Sequence, residues 1–180
     1  MVDHADARVL AVLTRAPSSG GKSRLFTGLG VPTDPRLLEA LLLDTIDGAA
    51  ASGMRTVVAV TPGSACDEIR AMLRRAHLSP APVEVIPQAE GDLGERMRDV
   101  MEALFARGAA AVALLGSDLP HITSSPITAA FEILSDTRDA VVLGPAGDGG
   151  YYLVAATRVP DVFTGIEWGS ARVLEQTQRV

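Results

Sequence analysis

Short apolar runs recur along the chain, separated by longer stretches with the period of an amphipathic helix. "RVLAVLT" (8–14), closed by Arg-Ala-Pro, has the pattern of a buried strand. "RTVVAV" (55–60), "VEVIP" (83–87), "AAAVALLG" (109–116), "DAVVLG" (139–144) and "GYYLVAA" (150–156) repeat it. The fourth run is apolar on both faces and belongs at the centre of a sheet. Asp34-Pro35 starts a helix, Asp34 as N-cap and Pro35 at the first helical position; the helix runs through "RLLEALLLDTIDGAAAS" and stops at Gly53. "SACDEIRAMLRRAH" follows as a helix capped by Ser64, with Asp67 and Glu68 in its first turn. In "DLGERMRDVMEALFARG", Asp92 and Glu95 stand at capping-box spacing. Further helices are expected from about Ser125 to Leu134 and over "SARVLEQTQRV".

Strands alternating with helices predict one α/β domain over 1–180, a three-layer α/β/α arrangement around a mostly parallel sheet. No repeat or linker interrupts the pattern. In such sheets ligands bind beyond the C-terminal ends of the strands. The loops of interest are therefore 15–34, 61–63, 87–92, 116–121 and 144–150.

Composition narrows the picture. A chain of 180 residues, 47% hydrophobic, is long enough for one well-buried core. A net charge of −6 argues against general nucleic-acid or membrane-surface binding, which needs a basic field. One cysteine, Cys66, excludes an internal disulfide, and the N-terminal segment is neither a signal peptide nor a span, so a cytoplasmic location is expected. His4 lies in the terminal segment, His77 ends a helix where a cation suits the dipole, and His121, at the cleft mouth, has no partner at ligand or triad spacing.

The densest chemistry follows the first strand, in "RAPSSGGKSRL" (15–25). Gly21-Lys22-Ser23 matches the end of a triphosphatase phosphate loop, and "AVALLGSD" resembles the strand that carries that class's magnesium-binding Asp. But Ala16 stands where the first glycine belongs, and Pro17 removes a backbone donor. Gly28, Gly30 and Pro32 then deny the long helix such a loop feeds. A transferase loop fits better. The small turn through Ala16, Pro17 and Gly20 lets a nucleotide approach the backbone, Lys22 and Arg24 neutralise phosphates, and Ser18, Ser19 and Ser23 add neutral donors. A solvated Ser-Gly turn is the competing reading.

Three other loops carry candidates. Asp118, in "LLGSDLP", ends the central strand where a lone carboxylate can hold one Mg²⁺ (or Mn²⁺) beside a pyrophosphate, or simply cap its own turn. In "LGPAGDGGYYL", Asp148 is a candidate base, and Gly149-Gly150 marks either close approach of a ligand or an ordinary hairpin turn. In "GDLGERM", Arg96 can reach a phosphate, and Asp92 shares that loop when not explained by capping. Trp168 stacks on an acceptor or packs at a rim or in the core. Met97 and Met101, spaced i, i+4, read as core.

"RAPSSGGKSRL", "GDLGERM", "LLGSDLP", "LGPAGDGGYYLV" and "FTGIEWGSARVLEQT" occur in that order. Together they resemble a family of small bacterial glycosyltransferase-A-type proteins long catalogued as a domain of unknown function. Some of its members are labelled glycosyltransferases, including ones tied to arsenosugar biosynthesis. The resemblance, from about residue 8 to the end, implies the nucleotide-diphospho-sugar transferase (GT-A) fold, whose relatives include guanylyltransferases. It implies transfer from a nucleotide sugar to a small-molecule acceptor, with nucleotidyl transfer or non-catalytic nucleotide binding as alternatives. By position, Arg15, Lys22 and Arg24 match the family's basic loop residues, Asp118 its carboxylate after the central strand, and Asp148, Gly149, Gly150 and Tyr151 its Asp-Gly-Gly-Tyr segment. Three departures stand out. The first loop is one residue shorter and has lost one charge. Trp168-Gly169-Ser170 replaces the family's Trp-Ser-Thr. The chain ends at Val180, before the family's Asp-Val-Asp-Thr segment with its second carboxylate. The resulting expectation is an incomplete sheet edge covered by a second copy of the chain.

Overall fold

Successive side chains of the central strands enter two separate cores, as the period-two geometry of a strand requires. The computed structural model describes residues 7–21, 26–28, 30–76, 83–137 and 139–179. Its strands are β1 (Arg8–Arg15), β2 (Arg55–Thr61), β3 (Glu84–Pro87), β4 (Ala111–Gly116), β5 (Val141–Pro145) and β6 (Tyr151–Ala156). They form one sheet in the order β3-β2-β1-β4-β6-β5. β1 is parallel to β2 and β4, and β2 to β3. β6 runs antiparallel to both β4 and β5.

The helices are α1 (Pro35–Ala50), α2 (Cys66–Ala76), α3 (Leu93–Ala106), α4 (Ser124–Asp136) and α5 (Val173–Thr177). On one face Leu10, Val12, Val58 and Leu115 meet Leu42 and Ile46 of α1, Ile69 of α2 and Phe131 of α4. On the other, Val9, Ala11, Val57 and Leu114 meet Met97, Val100 and Leu104 of α3, with Phe163 beyond. This is the expected mixed α/β architecture. β5 is the outermost strand on its side, and no described strand pairs with its far edge.

The predicted punctuation holds at most helix ends. The Asp34 carboxylate accepts from the Arg36 N–H at 2.9 Å. The Arg36 guanidinium beside it holds that carboxyl below the usual carboxylate range. Asp92 and Glu95 form a reciprocal capping box, at 2.9 and 2.8 Å. Gly53, at φ 72°, closes α1 through its N–H to the Ala50 carbonyl. One start differs: Ser64 is not an N-cap but lies inside a 3₁₀ turn (Gly63–Ala65), and α2 begins at Cys66. The Thr61-Pro62-Gly63 turn continues directly into that 3₁₀ turn and displaces the helix start by one residue. His77, expected to end this helix, lies outside the described residues.

Candidate functional site

The parallel strands bring their C-terminal ends to one edge of the sheet, and the reversed β6 brings its N-terminal end there. Leu115 pairs with Leu153 close to that edge. Every described loop of interest converges on it.

The first loop is tied down at both ends. Ala16 is buried, and its N–H donates to the Thr61 carbonyl of β2 at 2.9 Å. Pro17–Ser19 form a 3₁₀ turn closed by Gly20, whose N–H reaches the Pro17 carbonyl. Gly20 and Gly21 sit at φ 68° and 127°, in backbone space that disfavours any side chain. Ser18 is not a free donor: its backbone N–H donates to Glu68 Oε1 at 3.0 Å and its hydroxyl to Glu68 Oε2. Lys22, Ser23 and Arg24 lie outside the described residues.

Beside this loop a polar basin of about 260 Å³ is lined by Arg15, Ser19, Thr61, Glu90, Gly91 and Arg96. Arg96 Nε also donates to the Asp92 carbonyl at 3.1 Å. The Asp92 side chain is consumed by the helix cap, so Glu90, Gly91 and Arg96, not Asp92, present the 87–96 segment to the basin. A buried amide underlies this corner. Gln88 Nε2 donates to the Thr14 carbonyl (3.0 Å) and the Ala59 carbonyl (2.6 Å), bridging the ends of β1 and β2.

Arg15 also lines a smaller hollow of about 180 Å³ with Gly20, Gly21, Ser117 and Asp118. Asp118 is exposed, and its Oδ1 lies 3.3 Å from the Ser117 hydroxyl. Its loop is braced from below by α1. The Thr45 hydroxyl donates to the Leu41 carbonyl (2.8 Å), with the Ser117 carbonyl at 3.3 Å, and accepts the Leu119 N–H at 3.1 Å. A Cβ on Gly48 would collide with the Ile122 carbonyl oxygen, so α1 lies against this loop without room for a side chain.

The third compartment is apolar, about 470 Å³, on the α3 side of the sheet. Leu13, Leu114 and Val154 form its floor, Leu93 and Met97 of α3 one wall, and Trp168 to Ala171 with Val173 the other. Met97 is thus both core and lining. Asp148, Gly150, Tyr151 and Tyr152 close it on the hairpin side. The 146–150 segment is a turn joining two antiparallel strands: Asp148 Oδ1 accepts the Gly150 N–H at 3.0 Å and Ala146 N–H donates to the Gly150 carbonyl. The close approach at Gly149 (φ 87°) is made by the chain itself. A Cβ there would overlap the Ala171 carbonyl, and the Gly149 carbonyl accepts the Leu174 N–H at 2.9 Å.

Tyr151 and Trp168 meet edge to face, centroids 6.4 Å apart at 80°. The Trp168 indole lies over Gly94, where a Cβ would come within 2.9 Å of Nε1. Trp168 Nε1, Tyr151 Oη and Thr177 Oγ1 are buried, and none of them meets hydrogen-bond geometry with a partner among the described residues. Burial raises the Tyr151 phenol above its ordinary value, opposed in part by the nearby Thr177 hydroxyl.

Among the described residues no group of three or more His, Cys, Asp or Glu is placed to share a metal ion. One exposed carboxylate does fit a cation that takes its remaining oxygens from phosphate and water, the usual coordination of Mg²⁺ in nucleotide sites. No helix among the described residues is long and apolar enough to cross a membrane.

The fold is that of the nucleotide-diphospho-sugar transferases. A crystal structure of a Desulfovibrio desulfuricans G20 protein, provisionally named a nucleotide-diphospho-sugar transferase, superposes with a TM-score of 0.78 at 30% identity, covering 97% of this chain and 74% of that one. A cytidylyltransferase from Leptospira borgpetersenii serovar Hardjo-bovis shares the fold at TM-score 0.55 and 15% identity, over 84% of this chain and 60% of that one. Residues 45–170 match the model of a family described as an uncharacterized protein conserved in bacteria, DUF2064, and the chain belongs to that family. No curated protein matches the sequence.

Proposed function

We propose that the protein transfers a glycosyl group from a nucleotide sugar to a small-molecule acceptor. The observation that carries this reading is the change of character along one edge of the sheet: a basin holding Arg15 and Arg96, then Asp118, then an apolar cavity with Asp148 at its margin. Such an edge suits one charged and one less polar reactant meeting between them.

The two guanidiniums, with Lys22 and Arg24 from the same first loop, neutralise the diphosphate by charge-assisted hydrogen bonds. Asp118 would hold a Mg²⁺ or Mn²⁺ ion, which supplies charge neutralisation to the departing diphosphate. In the chemical step the acceptor oxygen or nitrogen bonds to the anomeric carbon while the bond from that carbon to the diphosphate oxygen breaks. Asp148 takes the acceptor's proton. Its Oδ1 is held by the Gly150 N–H, and a carboxylate retains acceptor capacity on its second oxygen. Tyr151 and Trp168 give the acceptor side its aromatic surface, while Gly149 and Gly150 shape the turn that holds Asp148.

The test incubates each nucleoside triphosphate and each nucleotide sugar with Mg²⁺ and an acceptor pool, after a thermal-shift panel of UDP, GDP, CTP and GTP. Release of a nucleoside diphosphate supports glycosyl transfer. Pyrophosphate release without diphosphate overturns it in favour of nucleotidyl transfer, and nucleotide binding without turnover in either channel leaves a binding module.

A further inference from the structure

We propose that the 470 Å³ cavity selects an acceptor with a compact apolar body, a ring or branched carbon skeleton bearing a single hydroxyl or amine, and rejects sugars and polyols. The inference rests on reading this cavity as the acceptor side. It adds the chemical class of the acceptor, which neither the fold nor the phosphate-facing loops specify.

The argument begins with what the walls offer. Leu13, Leu93, Met97, Leu114, Val154 and Val173 present only hydrocarbon and a thioether. Among the lining residues Asp148 is the one carboxylate, at the margin, and Ser170 the one aliphatic hydroxyl. Tyr152 adds a phenol to the lining residues, and several other polar atoms are spent or turned away. The backbone of the turn closes on itself through Ala146 and Gly150, and its Gly149 carbonyl is taken by Leu174. Trp168 Nε1 is buried against Gly94, and Tyr151 Oη lies by Thr177, beyond the lining.

A sugar brings a hydroxyl on nearly every carbon, and each needs a partner when it leaves water. These walls offer few side-chain partners, those of Asp148, Ser170 and Tyr152. An apolar body needs none and gains from leaving water over most of its surface. The volume lies within the range of small-molecule pockets, enough for a ring with short substituents. The single polar group of such a ligand can meet Asp148, Ser170 or Tyr152 at this lining, and Asp148 is the one carboxylate among them, the group suited to take its proton. Binding strength therefore comes from the apolar body, and orientation from one contact.

Trp168, the only tryptophan of the chain, lines the cavity, so its fluorescence reports occupancy without any turnover. The experiment titrates the full chain with cyclohexanemethanol and 4-methylcyclohexanol, which do not absorb with indole, and in parallel with glucose and myo-inositol. The cyclic alcohols should shift and saturate the emission, while the polyols leave it unchanged at tenfold higher concentration. Leu93→Asp puts a carboxylate at the rim and in the first turn of α3, where the helix dipole favours it. It should weaken the cyclic alcohols by about tenfold or more. Should that variant fail to fold, saturation-transfer NMR on the parent protein, with signal on the ring protons of the alcohols and none on glucose, decides the matter. Saturable binding of the polyols, or no response to the cyclic alcohols by either method, overturns the proposal. Nucleotide binding is measured separately by calorimetry. Cyclic-alcohol binding with no nucleotide binding would remove the transferase reading and leave the cavity's selectivity standing; the reverse pair of results would remove only the selectivity.

Discussion

The Glu68 carboxylate holds Ser18 twice, accepting its backbone N–H at one oxygen and its hydroxyl at the other. An acidic side chain from the first turn of α2 thus shapes the loop proposed to face phosphates, and it does so from outside that loop.

Glu68→Ala should release this latch. Two charge-assisted bonds at an exposed site are worth about 1–2 kcal/mol together, so thermal stability falls modestly. The sharper readout is hydrogen exchange: the Ser18 amide should lose protection while strand amides of β1 keep theirs. Unchanged exchange at Ser18 would show that the 3₁₀ turn holds without Glu68.

Thr45→Val keeps shape but leaves the Leu119 N–H without the acceptor it has now. The expected cost is about 1–3 kcal/mol, that of an orphaned buried donor. Because that loop carries Asp118, the proposed metal ligand, Mg²⁺-dependent nucleotide binding by calorimetry should weaken more than metal-free binding on the proposed reading, and Thr45→Ser should restore both. Equal weakening with and without metal would separate Thr45 from Asp118.

Gln88→Ala strips two strand-end carbonyls of their shared donor and should cost about 1–3 kcal/mol in denaturant unfolding. Gln88→Glu should cost more at neutral pH, since it aims a carboxylate at two carbonyl oxygens. A Glu variant as stable as the parent would mean the amide is not needed as a donor.

Gly149→Ala combines a left-handed backbone with a collision against the Ala171 carbonyl. Strain alone costs about 1–3 kcal/mol, and the collision adds to it. Gly147→Ala, with open space around its Cβ position, should stay within about 0.5 kcal/mol of the parent. Similar melting temperatures for the two variants would sink the assigned contact.

Tyr151 gives a prediction in pH. Its phenol is raised in the folded state by burial, so folding favours the protonated form. That preference is fully present below the unfolded value of about 10 and lost as pH rises through the folded one. Tyr151→Phe should stay near the parent's stability at pH 7, where it removes a buried hydroxyl whose neighbour is the Thr177 hydroxyl. It should also flatten the alkaline decline. A parent and variant with parallel profiles above pH 10 would remove Tyr151 from the effect.

Much of the fold was legible because strand and helix periods differ and because Asp34, Gly53 and the Asp92–Glu95 pair are local signals whose partners lie within four residues. The braces were not. Glu68 had a sufficient local explanation as a first-turn acid, so nothing pointed to a contact fifty residues away. Thr45 did leave a trace, a hydroxyl inside the apolar stripe of Leu38, Leu42, Ile46 and Ala49. Gln88 left less, a polar residue just past a strand. Gly149 shows the opposite case: the glycine pair read as either close approach of a ligand or a hairpin turn, and the structure makes a turn there, with the chain's own Ala171 against Gly149.

The reversal of β6 has an evolutionary consequence. The charged basin draws on β1, β2 and the entry to α3, whereas the outer walls of the apolar cavity come from the β5–β6 hairpin and the segment that Gly149 grips. Substitutions in that hairpin and segment alter what the cavity admits without passing through the donor-facing loops. Under the proposed reading, a lineage of such proteins can exchange acceptors by drift in this module while keeping its donor, and specificity across relatives should vary one substrate at a time.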